Sequence, residues 1–253
     1  MHCSLHNRES RILRWSAAGC FIGHGAFGLL GKVEWLPYFA TFGIGPPAAF
    51  DLMPFIGCLD LLVATFLLLR PSIAVYAWAA LWTLLTASLR PLAGQGWSEF
   101  FERAGNYGPP LTLLLAALES TRLTPRFALE TTMRVATALL LAGHAGCLLI
   151  LHKAVLAQHA AIFWPNMPVS AEAWGGVAEF TLAGMVLLRP SAELLVGVCL
   201  WKLATESLYP ISGAPIWEFV ERSGSYGLPL TFALFLHRQD HLPAVSPSPS
   251  LSS

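Results

Sequence analysis

Leu68-Leu69-Arg70-Pro71-Ser72 recurs unchanged as Leu187-Leu188-Arg189-Pro190-Ser191, and the offset of 119 residues holds along most of the chain. At that offset Glu99-Phe100-x-Glu102-Arg103-x-Gly105-x-Tyr107-Gly108-x-Pro110-Leu111-Thr112 returns as Glu218-Phe219-x-Glu221-Arg222-x-Gly224-x-Tyr226-Gly227-x-Pro229-Leu230-Thr231, with ten of fourteen positions identical. Asp60 then falls against Glu179, Trp82 against Trp201, Thr86 against Thr205 and Pro91 against Pro210. One extra residue aligns Arg14 with Arg134 and Gly23-His24 with Gly143-His144. A duplication of this extent constrains the fold strongly, because each copy must build the same supersecondary unit.

The apolar segments divide into the same two sets. A helix crossing the hydrocarbon core takes about 20 apolar residues, and such runs lie at about 12–31, 52–70, 72–90 and 97–119 in the first copy. The second copy gives about 132–152, 172–189, 191–209 and 216–236. Hydrophobic residues make up 55% of the chain and charged residues 12%, for a mean hydropathy of +0.58, whereas a soluble domain carries about 25% charged residues. The sequence therefore predicts an all-α polytopic membrane protein with eight transmembrane helices, arranged as two tandem parallel four-helix bundles. The first unit takes residues 1–124 and the second 125–237, and the Ser-Pro-rich tail over 238–253 reads as disordered.

Pro71 and Pro190 stand where each second helix must end, just after an arginine that can reach the headgroups. An even number of spans per copy brings both copies in from the same side, which places the pseudo-two-fold axis along the membrane normal. Arg8, Arg11, Arg14, Arg70, Arg122, Arg126, Arg134, Arg189 and Arg238 gather on one side, against Lys32, Arg90, Arg103, Lys153 and Arg222 on or near the other. By the positive-inside rule both termini are cytoplasmic, and a bacterial inner (plasma) membrane is the expected location. The arginines before the first apolar run imitate a secretion leader. The matching segment around Arg134 to Cys147 lies mid-chain, so the run reads as the first span.

Formal net charge is zero, from 15 basic and 15 acidic residues, so no overall field recruits nucleic acid. The expected partners are membrane lipid and an apolar small molecule such as a quinone. Cys3, Cys20, Cys58, Cys147 and Cys199 form no C-x-x-C pair and no zinc or iron–sulfur spacing. They read as small buried hydrophobes, which argues against dithiol chemistry carried by this chain alone.

Ionisable groups inside a span cost about 2.5–3.5 kcal/mol each on insertion scales and so mark candidate sites. Asp60 and Glu179 fall near the middle of the second helix of each copy. They read either as proton-linked or ligand-binding acids, or as hydrogen-bonded carboxyls that hold helices together. His24 and His144 lie mid-helix among small residues, where helices can approach closely. They can hydrogen-bond Asp60 and Glu179, bind a ligand, or simply pack; their symmetry also invites haem or metal ligation. No cofactor is named by the sequence.

Glu99, Glu102 and Arg103, like Glu218, Glu221 and Arg222, fall at i, i+3 and i+4 on one face of a fourth helix, with Glu99 and Arg103 spaced for an ion pair. Gly105, Gly108 and Pro110 should interrupt that helix, Pro110 freeing the carbonyl of Asn106. Irregular backbone at such depth survives only beside protein or a wet cavity. The segment therefore reads as a charge-paired staple or as the rim of a ligand cavity, with Tyr107 and Tyr226 as hydrogen-bonding partners. Lys202 and Glu206, four apart on the seventh helix, replace Thr83 and Ala87 of the first copy. Either the halves no longer do the same job or an added pair neutralises itself.

The glycine-rich segment Gly23-His24-Gly25-Ala26-Phe27-Gly28 with Gly31-Lys32, and the closing helix Glu102-Arg103-x-Gly105-x-Tyr107-x-x-Pro110-Leu111, resemble the DoxX-like membrane proteins, here with the unit doubled. The resemblance implies a four-helix membrane fold. It also implies a bacterial setting in which some members are associated with quinone-linked oxidation of sulfur compounds or with thiol stress. The missing cysteine pair sets a direct thiol role aside. Three functions are open on the sequence: a binding protein holding a quinone or lipid in an intramembrane cavity, a quinone-linked oxidoreductase subunit, and a proton-coupled transporter with Asp60 and Glu179 as coupling acids.

Overall fold

The computed structural model describes residues 5–119, 128–151, 153, 164 and 168–240, and all regular structure among them is helical. The elements in order are α1 (Asn7–Leu30), a single 3-10 turn (Val33–Trp35), α2 (Leu36–Ala40), α3 (Pro46–Leu69), α4 (Ile73–Leu92), α5 (Trp97–Glu102) and α6 (Ala104–Glu119). They continue with α7 (Ala128–Leu149), α8 (Val169–Leu188), α9 (Ala192–Ile211), α10 (Ile216–Glu221) and α11 (Ser223–Asp240). Among the described residues five helices are long and apolar enough to cross a membrane: α3, α4, α7, α9 and the Ala171–Leu188 portion of α8. On α3, α4, α8 and α9 large apolar side chains such as Phe55, Leu81, Phe180 and Leu200 point outward and are exposed. A continuous apolar exterior of this kind is not what a water-soluble monomer presents.

The recurring Leu-Leu-Arg-Pro-Ser segment is a helix stop followed by a helix start. Arg70 and Arg189 leave helical geometry as the C-caps of α3 and α8, and the proline that follows cannot continue the turn. Ser72 and Ser191 then accept the backbone N–H of Val75 and Leu194 at 3.3 and 3.2 Å, capping α4 and α9. Pro46 and Pro47 open α3, where a missing N–H is harmless.

The halves are interleaved. Within each half the hairpin partners α3 and α4, or α8 and α9, barely touch: α3 packs along α1, α8 along α7, α4 against α6 and α9 against α11. The short helices cross over, so that α5 packs on α7 of the second half and α10 on α1 of the first. Glycines make these crossings possible. A Cβ on Gly23 would stand 2.6 Å from the Glu221 nitrogen, and one on Gly143 would overlap the Glu102 backbone. Where α6 meets α11, Gly224 lies against the carbonyl of Gly105, its counterpart at the offset of 119.

Several expectations change. The fourth apolar run of each half is not one helix but two, and the interruption comes at Arg103 and Arg222. Gly105, Gly108 and Pro110 are helical within α6. The break is set one turn earlier because the arginine caps α5 or α10 while its carbonyl accepts from the next turn, Asn106 N–H at 2.8 Å and Ser225 N–H at 2.8 Å. The expected Glu99–Arg103 pair is also absent, since Glu99 is held by Arg90 and Lys153; its counterpart Arg222–Glu218 does form. Finally, α11 runs to Asp240, into the segment expected to be a tail, and Arg238 there pairs with the buried Glu9 of α1 at 3.1 Å. Cys3, Arg122, Arg126 and the chain beyond Asp240 lie outside the described residues.

Candidate functional site

Two polar centres are buried where the crossings occur. In the first, His24 on α1 stands between two acids, with Nδ1 3.6 Å from Asp60 on α3 and Nε2 3.6 Å from Glu221 on α10. The absence of a side chain at Gly23 lets the Glu221 backbone come this close. Asp60 is fully buried, and neither of its carboxylate oxygens has a hydrogen-bond partner. Arg103, at the α5–α6 break, donates to Glu221 at 2.9 Å and lies 3.8 Å from Glu102. Asp60, His24, Glu221, Arg103 and Glu102 thus form a run of ionisable side chains with no step longer than 3.8 Å.

His24 and Arg103 face a cavity of about 300 Å³. Its lining is largely aromatic, from Trp35, Tyr38, Phe39, Phe42 and Trp82, and includes Thr83, Asn106 and Arg90 as polar groups. The His24 ring rests on Trp35 at 4.9 Å between centroids. Tyr38 donates to Gln95 at 2.9 Å, tying the segment between α1 and α3 to the connection between α4 and α5.

The second centre is smaller and saturated with charge. A cavity of about 190 Å³ is lined by Glu99, Glu102, His144, Glu179, Lys202, Glu206 and Arg222, together with Arg90, Arg103, Cys147 and Lys153. Lys202 is 1% exposed and sits 3.3 Å from Glu179 and 3.3 Å from Glu206. Arg222 takes the other oxygen of Glu206 at 3.3 Å and pairs with Glu218, which also meets Lys32 at 2.7 Å. His144 Nε2 approaches Glu206 at 3.6 Å, not Glu179 as its first-half counterpart suggested, because Glu206 has no equivalent acid on α4. Glu102 accepts from the Cys147 thiol at 3.3 Å. Glu99, Glu102 and Cys147 offer ligand atoms within 4.8 Å of one another. With Arg90 and Lys153 already on Glu99, fixed cations oppose a metal ion there.

No family model, curated protein or solved structure matches the chain. The site is therefore read from its own geometry. His24 and His144 line different cavities, so they do not converge on one haem or metal. Tyr107 and Tyr226 line neither cavity; their rings stack on Phe100 and Phe219, and Tyr226 donates to the Phe219 carbonyl at 3.3 Å. Glu218 and Glu221 stand behind the cavity walls and act through Arg222, His24 and Arg103. Sequence reasoning passed over Trp35, Tyr38, Arg90, Cys147 and Lys153 as site residues. The cluster of aromatics between residues 35 and 42 was the available signal for the cavity lining.

The two tryptophans at matching positions are in unlike states. Trp201 Nε1 donates to Glu179 at 2.9 Å, whereas Trp82 Nε1 is buried without a partner. Trp201→Phe is expected to destabilise the protein by about 1.5–3 kcal/mol, the range for a hydrogen bond to a charged group. Trp82→Phe should cost well under half as much, and thermal unfolding in detergent micelles measures both.

Proposed function

We propose that the chain is a DoxX-like membrane protein of eight spans, two interlocked copies of one four-helix unit, that holds a small apolar ligand such as a quinone or a lipid within the bilayer. In this reading the five long apolar helices are joined as spans by α1 and by the broken pairs α5–α6 and α10–α11, whose charges are turned inward. The membrane is the bacterial inner membrane and both termini are cytoplasmic. The supporting observation is the first cavity: an aromatic pocket of about 300 Å³ lined by His24, which stands 3.6 Å from the buried Asp60 with its two unpartnered oxygens. Apolar walls with a few convergent polar groups are the usual form of a small-molecule site.

Mass spectrometry of the protein after mild solubilisation tests this. Wild type is expected to retain an apolar small molecule, and Asp60→Asn and His24→Ala are expected to lose most of it while remaining folded and inserted. Retention unchanged in both variants would count against the cavity as the site. A second reading, proton transfer as a quinone-linked oxidoreductase subunit or a proton-coupled transporter, is favoured by the three titratable groups in contact, Asp60, His24 and Glu221. It predicts substrate-driven acidification or alkalinisation of proteoliposomes that vanishes in Asp60→Asn.

A further inference from the structure

The two cavities use matching positions of the sequence repeat. Trp82, Thr83, Thr86 and Ala87 of α4 line the first, and Trp201, Lys202, Thr205 and Glu206, at the offset of 119 on α9, line the second. What differs is the filling. In the second cavity the ammonium of Lys202 lies 3.3 Å from Glu179 and 3.3 Å from Glu206, so paired charge occupies the space between α8 and α9. In the first, Thr83 turns its hydroxyl back to donate to Ala79 O at 2.7 Å in its own helix, and Ala87 ends at a methyl. The first cavity is the larger accordingly, at about 300 against about 190 Å³. Its lining also includes part of the molecule's apolar exterior: Leu52 on α3, Leu85 on α4 and Phe42 just after α2 are exposed. These residues border the place where α3 and α4 barely touch.

We propose that the first cavity takes one acyl chain of a bilayer phospholipid, which enters from the membrane between α3 and α4, and that Lys202 and Glu206 close the matching cavity to such a chain. Side chains that face an empty space forfeit dispersion contacts, and a hydrocarbon chain restores them. The nearest hydrocarbon is the bilayer itself, against the exposed Leu52, Leu85 and Phe42. In the second cavity a chain would lie against the Lys202 ammonium and the Glu206 carboxylate, covering charged groups while offering them no hydrogen bond. This inference rests on the cavity reading above and narrows its ligand to a phospholipid chain with a lateral entrance.

The test is photolabelling of the full chain in nanodiscs of phosphatidylcholine that carries a diazirine on one acyl chain, with adducts mapped by peptide mass spectrometry. Phe180 and Leu200, exposed on α8 and α9, report labelling from the surrounding bilayer. Trp35, Phe39 and Thr83 are buried and line the first cavity, so adducts there require a chain inside it. Wild type is expected to give adducts on these residues and none on Lys202 or Glu206, a comparison that needs no variant. Leu85→Trp, a change at an exposed position, should narrow the entrance and remove the inner adducts while Phe180 stays labelled. Equal labelling of both cavities, or inner adducts that survive Leu85→Trp undiminished, would overturn the inference. Labelling of the outer residues alone, with an apolar molecule still retained after mild solubilisation, would overturn it and leave the cavity reading standing. Outer labelling alone with nothing retained would overturn both.

Discussion

Gly143→Ala is expected to prevent assembly of the native structure, or to destabilise it by about 3 kcal/mol or more, and Gly197→Ala to leave it intact. The added methyl on Gly143 would fall inside the backbone of Glu102 and Phe101, where α5 crosses onto α7. Backbone cannot rotate away as a side-chain tip can, so α5 would have to separate from α7, taking Glu99 and Glu102 out of the second cavity. Overpacking of a core by a few atoms costs about 1–3 kcal/mol, and more where nothing yields. Gly224→Ala should behave alike, its methyl meeting the Gly105 carbonyl. Around Gly197 and Gly184 there is open space within 4 Å, so alanine there should be neutral or add up to about 1 kcal/mol through helix propensity. Unfolding in detergent micelles, with insertion checked by membrane extraction, measures all four.

Lys202→Met is expected to cost about 3–5 kcal/mol, the penalty for breaking a buried ion pair from one side. The ammonium serves Glu179 and Glu206 together. Methionine keeps most of the volume and strands Glu179, whose second oxygen already lacks a partner. Glu206 keeps Arg222, so the loss concentrates on α8. Adding Glu206→Ala recreates the Ala87 arrangement of the first half and should not recover the full loss, because Glu179 keeps only the Trp201 N–H and still lacks a counter-charge. Full recovery would instead mark Glu206 as the stranded charge. Thermal unfolding of the single and double variants separates the two outcomes.

The helical content was legible because apolar runs of span length are bounded by Pro, Gly and Arg, and the Leu-Leu-Arg-Pro-Ser connector encodes its own cap. The inward acids were legible because Asp60 and Glu179 interrupt apolar runs. What one dimension could not convey was which copy of a motif meets which histidine. An offset of 119 pairs equivalents and is silent on neighbours, so the meeting of His24 with Glu221, from the opposite half, could not be read from it. The helix break was misplaced for a related reason. Gly105 and Pro110 look like interrupters by propensity, yet Gly105 is there so that α6 can lie against Ser225 and Gly224. The arginine, a good helix former, is drawn out of the helix by its ion pairs with Glu221 and Glu102. Likewise Lys153, in the segment after α7, reaches Glu99 only through tertiary packing.

The central claim is that each histidine centre is completed by the other half of the chain. A double-mutant cycle on unfolding free energy tests it with His24→Ala, Glu221→Gln and Glu102→Gln. The geometry predicts coupling between His24 and Glu221 beyond about 0.5 kcal/mol, and weaker coupling between His24 and Glu102, which is reached only through Glu221 and Arg103. Coupling of His24 to Glu102 with additivity toward Glu221 would mean that the halves stand as separate bundles, and would contradict the account.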